Sequence, residues 1–103
     1  MMKLLTKAIE QKLRNTDMNS SHSLEEDVIV KFFNPYGVGT WLIVAGEQLP
    51  DGDWNLYGYC NSGTWEWGTV LLSELEKIRI PMFNGRIERD RFNSGSVAEL
   101  ARA

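Results

Sequence analysis

The stretch "IERDRF" at residues 87–92 is densely charged, with two acids and two bases between apolar ends. Its carboxylates, Glu88 and Asp90, are a pair that acid–base catalysis could use. An arginine beside each one favours the ionised form, which cannot donate a proton. The pattern therefore favours an ion-pair clasp that holds this segment on the fold, formed by Glu88, Arg89, Asp90 and Arg91.

The other candidate reactive residues are isolated in the sequence. His22 lies in a serine-rich loop with no metal-ligand spacing, which predicts a solvated loop histidine. Cys60 lies in an apolar strand and is expected to be a small core residue. The "DGD" at residues 51–53 begins like a calcium loop, but its twelfth position is Ser62, so it is predicted to be a turn. We predict no catalytic residue, no metal site and no cofactor, and therefore no enzyme.

Acidic residues are concentrated in the middle of the chain. Residues 15–76 hold ten acids against one lysine, a net charge of −9, whereas each end of the chain is basic. A surface of one sign attracts a partner of the other sign and repels nucleic acid. Solvated acids in unrelated loops are the alternative, and the fold decides between the two. The candidate partner-binding residues are Glu25, Glu26, Asp27, Glu47, Asp51 and Asp53.

Aromatic residues of the predicted strands offer a different interpretation, a surface that stacks on nucleic-acid bases. A phosphate backbone needs a basic groove, and the strands carry only Lys31, so a protein partner is favoured while nucleic acid stays open. The residues of this alternative are Tyr57, Tyr59, Trp65 and Trp67, with Arg86, Arg89 and Arg91.

The first half of the chain predicts a helix, a loop and a hairpin. Thr6 can cap a helix over residues 6–14, and the polar residues 15–26 predict a mobile loop. A strand follows over Val28–Asn34, with Val28, Val30 and Phe32 expected on one face. "TWLIVAGEQ" is expected to return as the second strand of a hairpin.

The second half completes a meander. "WNLYGYC" alternates Tyr57 and Tyr59 with smaller or apolar residues, and "WEWGTVLL" is the fourth strand. Ser73 and Glu76 have capping-box spacing before a second helix, and "MFNGRIERDRFNSG" is irregular or a short edge strand. Ser96 and Glu99 form another such pair, so residues 93–103 are a tail or a short helix.

This element order predicts an α+β fold. We expect one domain over residues 1–103, with a roughly four-stranded antiparallel meander, an N-terminal helix and a helix after the last strand, packed on one face of the sheet. A hydrophobic fraction of 43% supports a folded core. The absence of a long apolar run and of a signal sequence predicts a soluble protein without membrane contact, and a single cysteine fits the cytoplasm.

Six segments carry a resemblance that spans nearly the whole chain: "LLTKAI" with "KL" in the first helix, "VKFFNP", Trp41, "LYGYC", "WGTVLLSELEKIR" and "IERDRF". Together they resemble a domain-of-unknown-function family of short proteins carried by phages, plasmids and conjugative elements. The "WEWGT" segment departs from the family, which tends to have a glutamate, an apolar residue, glycine and an aromatic there.

The resemblance implies a non-enzymatic protein that acts against host defence. Some proteins similar to this one are anti-CRISPR inhibitors of type II-A effector nucleases, which makes such a nuclease the expected partner. The acidic residues would then occupy a basic nucleic-acid site on it. The alternative is a nucleic-acid-associated accessory protein of phage or plasmid maintenance. Oligomeric state is not specified by the sequence.

Overall fold

An antiparallel sheet of five strands forms the centre of the protein, in the order β4-β3-β2-β1-β5. The computed structural model describes residues 4–80, 85–90 and 94–102. The predicted α+β fold is confirmed, with one more strand than the meander. The strands are β1 Val30–Phe33, β2 Thr40–Gln48, β3 Trp54–Asn61, β4 Trp65–Leu71 and β5 Glu88–Arg89, and the helices are α1 Lys7–Arg14, α2 Leu72–Lys77 and α3 Val97–Arg102.

One side of the sheet, the helix face, is packed against α1 and α2. The helix α1 begins as predicted, because the hydroxyl oxygen of Thr6 accepts a hydrogen bond of 3.2 Å from the amide of Ile9. Its apolar stripe places Leu13 in the core, and Leu75 is the buried residue of α2. These leucines pack with the strand residues Val30, Phe32, Ile43, Trp54 and Leu56.

The opposite side, the aromatic face, has a smaller buried cluster and carries α3. Val97 of α3 is fully buried with Leu42 and Val44 of β2. The two helices predicted to pack on the sheet, α1 and α2, do share the helix face, and α3, predicted only as a tail or a short helix, packs on the opposite one. The predicted cap of α3 is confirmed, since Ser96 N donates to the Glu99 carboxylate at 3.0 Å and Glu99 N donates to the Ser96 hydroxyl at 3.2 Å.

Val28 does not lie on the face that the sequence predicts. It packs in the cluster of the aromatic face, whereas Val30 and Phe32 lie on the helix face. The strand begins only at Val30, and the amide of Val28 donates instead to the carbonyl of Gly95 at 3.0 Å. Side chains alternate between the two faces only within a continuous strand. The alternation therefore ends before Val30, and at Val28 the backbone amide bonds to Gly95 instead of to β2.

The start of α2 is fixed by a residue far away in sequence. Asp53, in the turn between β2 and β3, accepts from the amide of Ser73 at 3.1 Å and from its hydroxyl at 2.6 Å. Glu74 accepts from the amide of Leu71 at 2.9 Å. The predicted capping box of Ser73 and Glu76 is therefore wrong, because the helix begins at Leu72 and the acids that cap it are Asp53 and Glu74.

Replacing Asp53 with alanine is expected to cost about 1 kcal/mol of unfolding free energy, because the amide and the hydroxyl of Ser73 at the start of α2 lose their acceptor. The hydrogen bond from Ser73 lowers the pKa of Asp53. The contribution of Asp53 to the free energy of unfolding is therefore fully present above the pKa that the carboxyl has in the unfolded chain. It is lost as the pH falls through the lower pKa of the folded chain. Urea unfolding of Asp53→Ala and Asp51→Ala checks this, and equal midpoints for the two variants would contradict it.

None of the described helices has the length and apolar character needed to cross a membrane.

Candidate functional site

Four half-buried aromatic side chains form a continuous layer on the aromatic face. Tyr59 of β3 lies opposite Trp67 of β4, and the chain alternation puts Tyr57 and Trp65 on the same side. Tyr57 stacks on Trp67 with ring centroids 5.6 Å apart, and Tyr59 stacks on Trp65 at 5.1 Å. Tyr59 also contacts Trp67 at 5.1 Å in a tilted arrangement. We call these four residues the aromatic ladder. The alternation predicted one face for the two tyrosines and one face for the two tryptophans, and the register of β3 with β4 puts both pairs on the same side.

His22 extends the ladder at its Tyr57 end, with ring centroids 5.4 Å apart. Its side chain is only 6% exposed, so the prediction of a solvated histidine is wrong. The Nδ1 atom lies 2.8 Å from the carboxylate of Glu26, and Nε2 lies 2.8 Å from the carbonyl oxygen of Asp17. Both partners are acceptors, so the protonated ring, with two N–H donors, satisfies both contacts.

The His22 contacts predict a pH-dependent contribution to stability. Burial lowers the pKa of His22, but the hydrogen bonds to Glu26 and Asp17 outweigh it, and the pKa lies above 6.5. The contribution is therefore present below the unfolded pKa and lost as the pH rises through the folded pKa. Urea midpoints at about pH 5.5 and about pH 8.5 should differ more for the native chain than for His22→Gln. Identical pH slopes would contradict the prediction, and an NMR titration should show that Glu26→Gln lowers the His22 pKa.

Three of the predicted partner-binding acids have exposed side chains and belong to segments on the same side of the sheet as the aromatic face. The segment that contains Glu25 and Asp27 runs beside α3. Two backbone hydrogen bonds of 2.8 Å hold it there: the Val97 amide donates to the Glu26 carbonyl, and the Ala98 amide donates to the Leu24 carbonyl. Glu47 of β2 lies opposite Asn55, on the face that carries the ladder. No hydrogen bond or ion pair joins these three side chains to another described residue. We call Glu25, Asp27 and Glu47 the acidic rim.

The other three predicted acids have internal partners. Glu26 holds His22 and accepts from the amide of Ser23 at 2.9 Å. Asp51 accepts from the amide of Asp53 at 3.0 Å, and Asp53 caps α2. The fold uses oxygens of all three, although Asp51 is itself exposed, so the acidic rim is the set of exposed acids whose oxygens accept no hydrogen bond from another described residue.

The described part of "IERDRF", residues 87–90, lies at the outer side of β1. Its β5 residues Glu88 and Arg89 pair with Phe33 and Phe32. A guanidinium nitrogen of Arg89 donates to the Leu4 carbonyl at 3.3 Å, and Asp90 lies 3.9 Å from the ammonium of Lys31. Arg91, the fourth residue of the predicted clasp, lies outside the described residues.

The two described arginines of the nucleic-acid interpretation, Arg86 and Arg89, do not lie beside the ladder. Arg89 belongs to β5, at the opposite end of the strand order from β4. Arg86 is exposed in the residues just before β5. Among the charged residues of the described strands, Lys31 of β1 and Glu47 of β2 share the face of the ladder, and Glu66 lies between Trp65 and Trp67 on the opposite face.

Cys60 and the other reactive groups show no arrangement for catalysis among the residues that the structure describes. Burial raises the pKa of the Cys60 thiol to about 11, which keeps it protonated at neutral pH and makes it a poor nucleophile. The described residues contain no group of three or more histidine, cysteine, aspartate or glutamate side chains that could hold a metal ion.

Sequence comparison gives the family but no relative of known function. The chain matches no curated protein and no solved structure. A family model described as "Protein of unknown function (DUF2958)" matches residues 4–100. This match covers nearly the whole chain, including the aromatic ladder and the acidic rim, and the protein therefore belongs to the DUF2958 family.

Proposed function

We propose that this protein is a non-enzymatic inhibitor, encoded by a mobile element and acting in the bacterial cytoplasm, that binds a type II-A RNA-guided nuclease. The observation that supports the proposal is the acidic rim beside the aromatic ladder on one side of the sheet. The resemblance to small proteins of phages and plasmids supplies the nuclease as the partner.

The two parts of this surface would contribute differently to binding. RNA-guided nucleases hold nucleic acid in a positively charged channel, which attracts an acidic protein surface over a distance. The attraction speeds encounter and selects the partner, whereas buried aromatic anchors supply much of the affinity in protein interfaces. The acidic rim would therefore guide association and the aromatic ladder would hold the complex.

An order-of-addition cleavage assay tests the proposal. The purified nuclease with its guide is mixed with this protein before or after target DNA, and the cleaved fraction is measured at low and high salt. We expect inhibition only when the protein is added before DNA, with relief at high salt because screening weakens the charge attraction. Absence of inhibition at a large molar excess would overturn direct inhibition.

The second candidate is a nucleic-acid accessory protein of phage or plasmid maintenance, and the aromatic ladder is the observation that favours it. Four rings on one face resemble the stacking surfaces of single-strand binding proteins. The neighbouring acidic rim opposes a phosphate backbone. Binding of labelled single-stranded DNA in the absence of nuclease, weakened by replacement of Trp65 or Trp67 with alanine, would favour this function over inhibition.

A further inference from the structure

The outer edge of β4 is an exposed strand edge in the part of the chain that the structure describes. The strand is at the end of the sheet order, and no described residue pairs with its outer side. It has seven residues, of which only Glu66 is charged. Natural proteins protect such edges with lysine, proline, bulges or very short strands, because an open edge can pair with another chain.

The backbone hydrogen bonds of β3 show which backbone groups of β4 point away from the sheet. The amide of Leu49 donates to the carbonyl of Asp53 at 2.7 Å, so the odd-numbered residues of β3 direct their backbone groups toward β2. The even-numbered residues of β3 then bond to β4, and one of them, Gly58, lies opposite Gly68. The even-numbered residues of β4 therefore direct their N–H and C=O groups toward β3.

The odd-numbered residues of β4 consequently direct their N–H and C=O groups away from the sheet. The amide of Leu71 agrees with this assignment, since it donates to Glu74 of α2 rather than to β3. The residues that remain with outward backbone groups are Trp65, Trp67 and Thr69. Each of these residues carries one N–H donor and one C=O acceptor, so the edge offers a row of donors and acceptors that no other described residue uses.

The side chains beside this edge select the chemistry of an added strand. On the helix face, a Cβ built on Gly68 has no heavy atom within 4 Å, although Gly68 has no positive φ that would require glycine. The space above it borders Trp41 and the carboxylate of Glu66. On the aromatic face, the same strand presents Trp65 and Trp67. A glycine inside a strand often marks a close approach by another chain.

We propose that the outer edge of β4 receives an extended segment of a partner protein as an added strand. Lysine or arginine side chains of that segment would lie beside Glu66 over Gly68, and its apolar side chains would contact Trp65 and Trp67. Main-chain hydrogen bonds give the affinity of such strand addition, and alternate side chains give its specificity. The proposal holds whichever protein the partner is, so it does not rest on nuclease inhibition.

Peptide binding followed by NMR tests the proposal on the intact protein. The probe is a short, blocked peptide that alternates lysine and valine, compared with a peptide that alternates glutamate and valine. We expect amide exchange at Trp67 and Thr69 to slow at least about tenfold when the lysine peptide is bound, while Gly68 is already protected by β3. The glutamate peptide should bind at least about threefold more weakly, as expected for one exposed ion pair.

Two further comparisons identify the edge as the binding site. Thr69→Pro removes an outward N–H without touching the bonds to β3, whereas Thr69→Val keeps it; only the proline variant should lose binding, by about tenfold. A lysine peptide that is N-methylated on the residues whose amides face β4 should not bind the native protein. This comparison does not depend on the folding of a variant. Unchanged binding in either case, or no binding of the lysine peptide, would overturn the proposal. Concentration-dependent dimerisation that protects the same amides would assign the edge to a second copy and overturn it as well.

Discussion

Replacing Gly58 with alanine is expected to destabilise the protein by about 3 kcal/mol, the upper end of the usual range for overpacking. A Cβ built on Gly58 would lie 2.7 Å from the carbonyl carbon of Leu42 and 2.8 Å from the Cα of Ile43, and it would overlap the carbonyl oxygen of Leu42. All three atoms belong to the backbone, which cannot rotate away as a side chain can. The pairing of β2 and β3 would have to open where the β-bulge of β2 already distorts it.

Gly68 provides the matched control, because it lies directly opposite Gly58 in the neighbouring strand. Its added Cβ would meet nothing within 4 Å, so Gly68→Ala should change stability by no more than about 0.5 kcal/mol. Urea unfolding monitored by circular dichroism measures both variants against the native chain. Equal midpoints for Gly58→Ala and Gly68→Ala would contradict the explanation by backbone overlap.

Reversing two charges of the acidic rim, Asp27→Lys with Glu47→Lys, is expected to weaken nuclease inhibition at least about tenfold at low salt. Each substitution replaces an attraction to the basic channel with a repulsion, and the loss should shrink as salt screens the charges. The two side chains are exposed and make no hydrogen bond or ion pair with another described residue, so the fold should tolerate the change. The measurement is the concentration of protein that halves DNA cleavage.

The control for this prediction carries the same charge change on the other side of the sheet. Glu10 of α1 and Glu76 of α2 border one depression on the helix face. Replacing both with lysine also adds four charges to the net charge of −3, giving +1. If this control lost inhibition as strongly as the rim variant, net charge rather than the acidic rim would be responsible. Full inhibition by the rim variant would refute electrostatic occupation of the nucleic-acid site.

The sequence by itself determined the features that depend on near neighbours in the chain. Thr6 caps α1 through an amide three residues on, and Ser96 and Glu99 cap each other within one turn. The aromatic ladder follows from alternation within two strands joined by a short turn, which fixes their register as well as their faces. Short-range geometry is sufficient for each of these features, so the residue types predict them.

The tertiary structure alone decided which distant residues satisfy one another. Asp53 caps a helix that begins about 20 residues later, where spacing had favoured Glu76, and His22 leaves solvent because Tyr57 lies beneath it. The six predicted acids looked equivalent in sequence, but the folded chain uses oxygens of Glu26, Asp51 and Asp53 as hydrogen-bond acceptors, whereas Glu25, Asp27 and Glu47 are exposed and accept none from another described residue. A side chain's availability depends on which groups the folded chain brings within hydrogen-bonding distance, and those contacts join segments that no local pattern connects.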